Sequence, residues 1–221
     1  MGDIKRLQPA PARLPASASG RHPRQAGATP ANKWFYETWD TEAEAWNVET
    51  GKSSGALPDA PCLYSSFPSL KDPLHDPGPE LRHTGEVVTF VPWDRFAGWV
   101  DTRWKKRGAS YDDFKAALTE KMLEQFLRHM PGLRGMIDVA ELSTPLSTHN
   151  FTRPMEGSIY GIEPTPERFA CRWLRPRSPI DGLFFAGSEV ATVGVMGAMM
   201  GGVLAAVSAR PAAAMGLLRK L

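Results

Sequence analysis

The fold turns on residues 180–207, IDGLFFAGSEVATVGVMGAMMGGVLAAV. Asp181-Gly182 marks a turn, Leu183 to Ala186 reads as a short buried strand, and Gly187-Ser188 ends it. Glu189 is the one acid before a long uncharged run of glycine, alanine, methionine and valine. From Gly194 the run predicts a buried helix carrying Met196, Met199, Met200, Val203, Leu204 and Val207. Glycine costs about 1 kcal/mol relative to alanine at each helical position. Gly194, Gly197, Gly201 and Gly202 therefore call for a close neighbour, whether another helix, a sheet or a flat ligand.

Three readings fit this stretch. Val190 to Val207 is an eighteen-residue uncharged run with a Gly197-x-x-x-Gly201 spacing, the pattern of a membrane or helix-pairing segment. It also suits a tightly packed core helix with no ligand. In the third reading the free N–H groups and positive dipole end near Val193-Gly194-Val195 face an anionic or electron-rich group, and Glu189 accepts a hydroxyl just before them.

A net charge of +2 offers nucleic acid no general attraction, and no nucleic-acid motif is present. Two distant cysteines, Cys62 and Cys171, form neither a disulfide framework nor a zinc site, which points to a reducing, cytoplasmic setting and no metal. Twenty prolines and twenty glycines predict many loops. Residues 1–32, rich in Pro, Ala and Arg with Asp3 the sole acid, read as disordered. Order is expected from Lys33, where Trp34, Phe35, Tyr36, Trp39 and Trp46 stand among acids and read as core or interface.

Cys62 to Phe67 and Gly85 to Val91 read as strands, the second by its clean alternation. Trp93 to Lys106 reads as a helix. A better marked helix starts at Ser110 with Asp113 three residues on, repeats Phe114, Leu118, Met122 and Phe126, and stops at Pro131-Gly132. Ile137 to Leu142 reads as a strand, followed by a polar stretch to Phe151 and a glycine loop at 157–161. His75, Asp76 and His83 read as solvated loop residues, and Lys105, Lys106 and Arg107 as a solvated helix end. The order suits an α/β fold of the mixed α+β kind. It divides into 33–170, a region of strands and two helices, 171–210, a strand and helix, and a tail over 211–221.

Several ordered motifs run in series. They are Phe67-Pro68-Ser69-Leu70-Lys71-Asp72-Pro73, Lys106-Arg107-Gly108 with Tyr111, Pro131-Gly132-Leu133, Thr144-Pro145-Leu146, Gly157-Ser158-Ile159-Tyr160-Gly161, and Leu174-Arg175-Pro176 through Gly182 to Gly187. Together they resemble the C-terminal half of retinol saturase and the related carotenoid isomerases and phytoene-desaturase-type flavoproteins, over residues 33–210. The resemblance implies FAD as cofactor, an apolar polyene as substrate, and a final strand, acid and helix that close over the flavin. It implies that Glu189, with Gly187 and Ser188, meets a ribityl hydroxyl, and that Val195 and Met196 face the pyrimidine edge, with Gly194 and Gly197 admitting the ring. His149 and Tyr160 are candidates to line the polyene pocket. Such enzymes bind the ADP half of FAD through a GxGxxG turn, and this sequence contains none. The expectation is a substrate-binding and FAD-capping part of a two-domain flavoprotein that works with a missing N-terminal FAD-binding half and allows peripheral membrane contact. The rival expectation is a non-catalytic protein that anchors in lipid or docks a partner through 190–207.

Overall fold

The computed structural model describes residues 12–14, 22–39, 46, 48, 57–162 and 164–219. Two compact units divide the chain, one within residues 5–158 and one within 159–221.

The first unit is a four-stranded antiparallel sheet backed by helices. Its strands are β1 (Ala12–Leu14), β2 (Lys33–Tyr36), β3 (Cys62–Ser66) and β4 (His83–Val88), in the order β1-β4-β3-β2. The register places Trp34 opposite Tyr64 and Tyr64 opposite Val88. Because side chains alternate across a strand, Phe35, Leu63 and Val87 face the helices, while Trp34 and Tyr36 stand exposed on the other side. The predicted strand at 85–91 begins two residues earlier and stops at Val88.

Short helices α1 (Pro68–Lys71) and α2 (Asp94–Ala97) follow β3 and β4. The long helix expected over Trp93 to Lys106 is confined to α2, after which the chain runs through hydrogen-bonded turns. The well-marked helix is α3 (Ala109–His129), whose Leu118, Met122 and Phe126 join Leu63, Phe67, Phe96 and Trp46 in the core. Its N-cap is Gly108, with no side-chain cap, so the Ser110–Asp113 capping pattern is not used. Pro131 closes it through a 3-10 turn, Pro131–Leu133.

Gln125 of α3 is fully buried. It accepts the Ala60 N–H at 2.8 Å, donates to the Ala60 carbonyl at 2.8 Å, and donates to Glu37 at 2.9 Å. A single side-chain amide thus satisfies a buried backbone segment that lies outside the strands.

Ile137 to Leu142 forms no strand, and the polar stretch after it forms α4 (Pro145–Thr152) instead of a loop. Thr144 and Ser147 make a reciprocal capping box, with Pro145 at the first helical position. Arg107 is buried and donates to the carbonyls of Trp99 and Thr102 at 3.0 Å and of Leu146 at 3.3 Å. Tyr111 shares a 2.7 Å hydrogen bond with Thr144. Two of the quoted motifs, Lys106-Arg107-Gly108 with Tyr111 and Thr144-Pro145-Leu146, therefore form one bracket, and Arg107 is no solvated helix end.

Ordered structure also reaches below Lys33. Residues 23–26 make a 3-10 turn capped by His22, Ala28 is buried, and Gly132 lies so close that a Cβ there would stand 2.9 Å from the Ala26 Cα. Small residues pack without large apolar side chains, which is why composition suggested disorder.

The second unit holds α5 (Pro166–Ala170), α6 (Gly194–Ala209) and α7 (Pro211–Leu218), the last inside the expected tail. The buried strand expected at Leu183 to Ala186 does not form. A single bridge joins Phe184 to Arg177, and Leu183 and Phe185 are exposed. Without a described partner strand, four apolar residues cannot satisfy their backbone in a sheet.

Candidate functional site

The second unit gathers its glycine-rich turns around one acid. Thr165 caps α5, accepting the Arg168 N–H at 3.2 Å, and Pro166 supplies the first helical residue. This places the Arg168 side chain inward, where it is buried and donates to the carbonyls of Ile162 and Ser188, the latter at 2.6 Å. The guanidinium fork thereby ties the loop at 159–162 to the turn at 187–190.

Gly161 completes the junction. It has a φ of 82°, and a Cβ there would meet Glu189 Oε1 at 3.0 Å and Ser188 Oγ at 3.2 Å. The neighbouring Tyr160 is exposed and also left-handed, with a φ of 70°. The Glu189 carboxylate is exposed, and no described cation pairs with it.

Helix α6 starts at Val193, an extended N-cap with no side-chain hydrogen bond to the free N–H groups. Gly194 has a φ of 82° and open space where its Cβ would be. Val195 and Met196 are 76% and 68% exposed, so the start of the helix is uncovered.

The helix is not buried on its apolar side. Gly197 and Gly201 are its buried residues. A Cβ on Gly197 would collide with the Thr192 carbonyl, and one on Gly201 with the backbone of Gly187. The close neighbour that the glycines demanded is the chain's own 187–192 turn, while Met196, Met199, Met200 and Leu204 face outward. The space a side chain would take at Gly197 and Gly201 is thus filled by the chain's own backbone. No described helix is long and apolar enough to cross a membrane.

The structure brings Ser188 and Glu189 together with Gly161 of the quoted 157–161 motif. His149 belongs to the other unit, where Nδ1 donates to the Pro154 carbonyl at 3.3 Å and the ring lies 5.5 Å from Trp93. Sequence reasoning missed Arg168. The Thr165-Pro166 start of α5 was a legible capping signal, but nothing in the spacing tells which carbonyls a guanidinium will reach. Among the described residues no cluster could hold a metal ion.

Fold and site together make this a mixed α/β chain with a small antiparallel sheet and a separate helix-and-turn unit around one exposed acid. Across 175 residues, 77% of this chain, it is 28% identical to all-trans-retinol 13,14-reductase of Rattus norvegicus, and it is 28% identical to the Homo sapiens protein of the same name over 78% of this chain. An inactive all-trans-retinol 13,14-reductase of Danio rerio is 26% identical over 67% of the chain. The chain is similar to the retinol saturases, the family its motif series resembles. It spans 29% of the length of the rat and human proteins. No protein-family model matches the chain, and no solved structure does.

Proposed function

We propose that this chain is the substrate-binding and flavin-capping part of an FAD-dependent oxidoreductase that acts on carbon–carbon double bonds of a retinoid or related polyene, by saturation, desaturation or isomerisation. The observation that carries this reading is the meeting of Gly161 with Ser188-Glu189, with an exposed carboxylate in the same unit as an uncapped helix start. Glu189, with Gly187 and Ser188 around it, would hold a ribityl hydroxyl. The backbone at Gly194, Val195 and Met196 would face the electron-rich edge of the ring, where the helix dipole favours negative charge. A bound flavin supplies the hydride chemistry, and the protein supplies orientation and an apolar surface. The GxGxxG half of the cofactor site would come from an N-terminal part or a separate chain.

The test is to express the chain with and without the dinucleotide-binding portion of a retinol reductase relative and to record flavin absorbance after purification. Flavin retained by the pair, and weakened by Glu189→Ala, supports the proposal; a pair that purifies colourless sinks it.

A second reading is a non-catalytic partner-binding or membrane-associated protein using 190–207. The outward Val195, Met196, Met199, Met200 and Leu204 favour it, as does the existence of a relative named inactive. It predicts partner capture abolished by charged substitutions on this face, with no flavin under any condition.

A further inference from the structure

A turn at 101–106 and the last turn of α4 in the 5–158 unit meet through their aromatic rings. Trp104 and Phe151 lie edge to face with centroids 5.1 Å apart. Trp104 is 39% exposed, Phe151 64%, and Met155, four residues further on, 83%. Arg103, Lys105, Lys106 and Arg153 are all exposed and lie within two residues of Trp104, Phe151 or Met155 in the chain, and the Lys105 ammonium stands 4.6 Å over the Trp104 ring. Residues 101–106 and 151–156 together carry those four cations against two acids, Asp101 and Glu156.

The arrangement is fixed before any partner arrives. Lys106 N–H closes a turn onto the Arg103 carbonyl at 2.9 Å, and Arg153 ends α4 in left-handed backbone with its N–H on the His149 carbonyl at 3.1 Å. Arg107 also joins the 99–102 turn to Leu146. Little ordering entropy then opposes binding.

Aromatic and aliphatic side chains that sink to headgroup depth, with lysine and arginine stems reaching back to the lipid phosphates, are the chemistry of a bilayer interface. The positive charge selects the occupant. It attracts an anionic surface and repels a second copy of itself. We propose that Trp104, Phe151 and Met155, with Arg103, Lys105, Lys106 and Arg153, form a peripheral docking site for an anionic lipid bilayer. The site inserts side chains only, and it stands whether or not the chain binds a flavin.

The test is co-sedimentation of the full chain with phosphatidylcholine vesicles and with vesicles that also contain phosphatidylserine, at about 0.1 M salt where the screening length is about 10 Å. The wild type sediments with the anionic vesicles and much less with the neutral ones. Replacing Lys105 and Lys106 by Gln weakens binding by roughly 25-fold, about fivefold for each charge removed near an anionic surface. Met155→Ser, at a side chain with little packing to lose, weakens binding several-fold, and Trp104→Ser with Phe151→Ser abolishes it while the thermal midpoint is followed as a folding control. Trp173→Ser, an exposed tryptophan of the other unit, leaves binding unchanged. Equal sedimentation with both vesicle types, no sedimentation of the wild type, or a dimer in sedimentation velocity that Met155→Ser disrupts each overturns the proposal.

Discussion

Arg168 donates to the Ser188 carbonyl at 2.6 Å while its other terminal nitrogen donates to Ile162, so one buried guanidinium joins two turns distant in sequence. The carbonyls it satisfies flank Tyr160-Gly161 on one side and Glu189 on the other. The position of the exposed acid is therefore tied to a buried residue two turns away in the fold.

Arg168→Met should cost the 159–221 unit about 2–3 kcal/mol, the range for hydrogen bonds to a charged donor. Amide exchange at 160–162 and 188–190 should rise together. Lysine should restore less than half of the loss, because a single ammonium cannot reproduce the two-armed geometry. Unchanged exchange at Val190 in the Met variant would show that the tie does not hold the turn.

The glycines of α6 should divide sharply. Gly201→Ala drives a methyl into the Gly187 backbone and should cost about 3 kcal/mol or more, at the upper end of overpacking. Gly202→Ala meets nothing within 4 Å and should stabilise by up to about 1 kcal/mol. Denaturant midpoints of the two single variants, moving in opposite directions, are the check.

Gln125→Leu strips partners from both the N–H and the carbonyl of Ala60 and should destabilise the 5–158 unit by about 3 kcal/mol. Gln125→Glu keeps an acceptor for Ala60 N–H but sets a second carboxylate beside Glu37, so it should also destabilise, and more at neutral than at acid pH. Urea unfolding at two pH values separates the variants.

Acid should weaken this unit in two steps. Burial, reinforced by His22, His75 and Arg24, holds the His83 imidazole below its ordinary value of 6.5. As pH falls through 6.5 the unfolded chain takes the proton first, so stability present above that pH is lost below it. At Glu37, burial pushes the carboxyl up but hydrogen bonds from Gln125 and His129 and the His129 charge prevail, leaving it below 4.5. Burial likewise opposes the Arg128 and Lys121 contacts that hold Asp59 below 3.8. Their stabilisation is present above those values and disappears as pH drops further. Denaturant midpoints followed from neutral to acid pH should fall in both ranges, and His83→Gln should remove the first fall alone.

What could be read from the sequence follows from what periodicity encodes. Helix α3 was legible because Phe114, Leu118, Met122 and Phe126 repeat at one-turn spacing and Pro131 supplies a stop. Helix α4 was not, because Ser147, Thr148, His149 and Asn150 look like loop and its capping box closes with serine where glutamate or glutamine is the usual partner. The existence of α6 and its start at Gly194 could be read, but its orientation could not. Apolar patterning locates side-chain burial, whereas this helix buries backbone, so its methionines look like core and stand outside. Among the candidate site residues, Glu189 and its flanking glycines were visible as a motif; Arg168 was hidden because its partners are carbonyls, which every residue has.

The seating of α6 on its own preceding turn also bears on how the chain reaches its native form. Gly201 meets Gly187 across fourteen residues and Gly197 meets Thr192 across five, so the contacts that fix the helix close over short loops. Loops of about ten residues close in tens of nanoseconds, and local contacts speed folding. This helix and turn can assemble as a nascent chain segment before distant partners arrive, whereas the sheet of the other unit must first bring Trp34 to Tyr64 and Ser66 to Glu86.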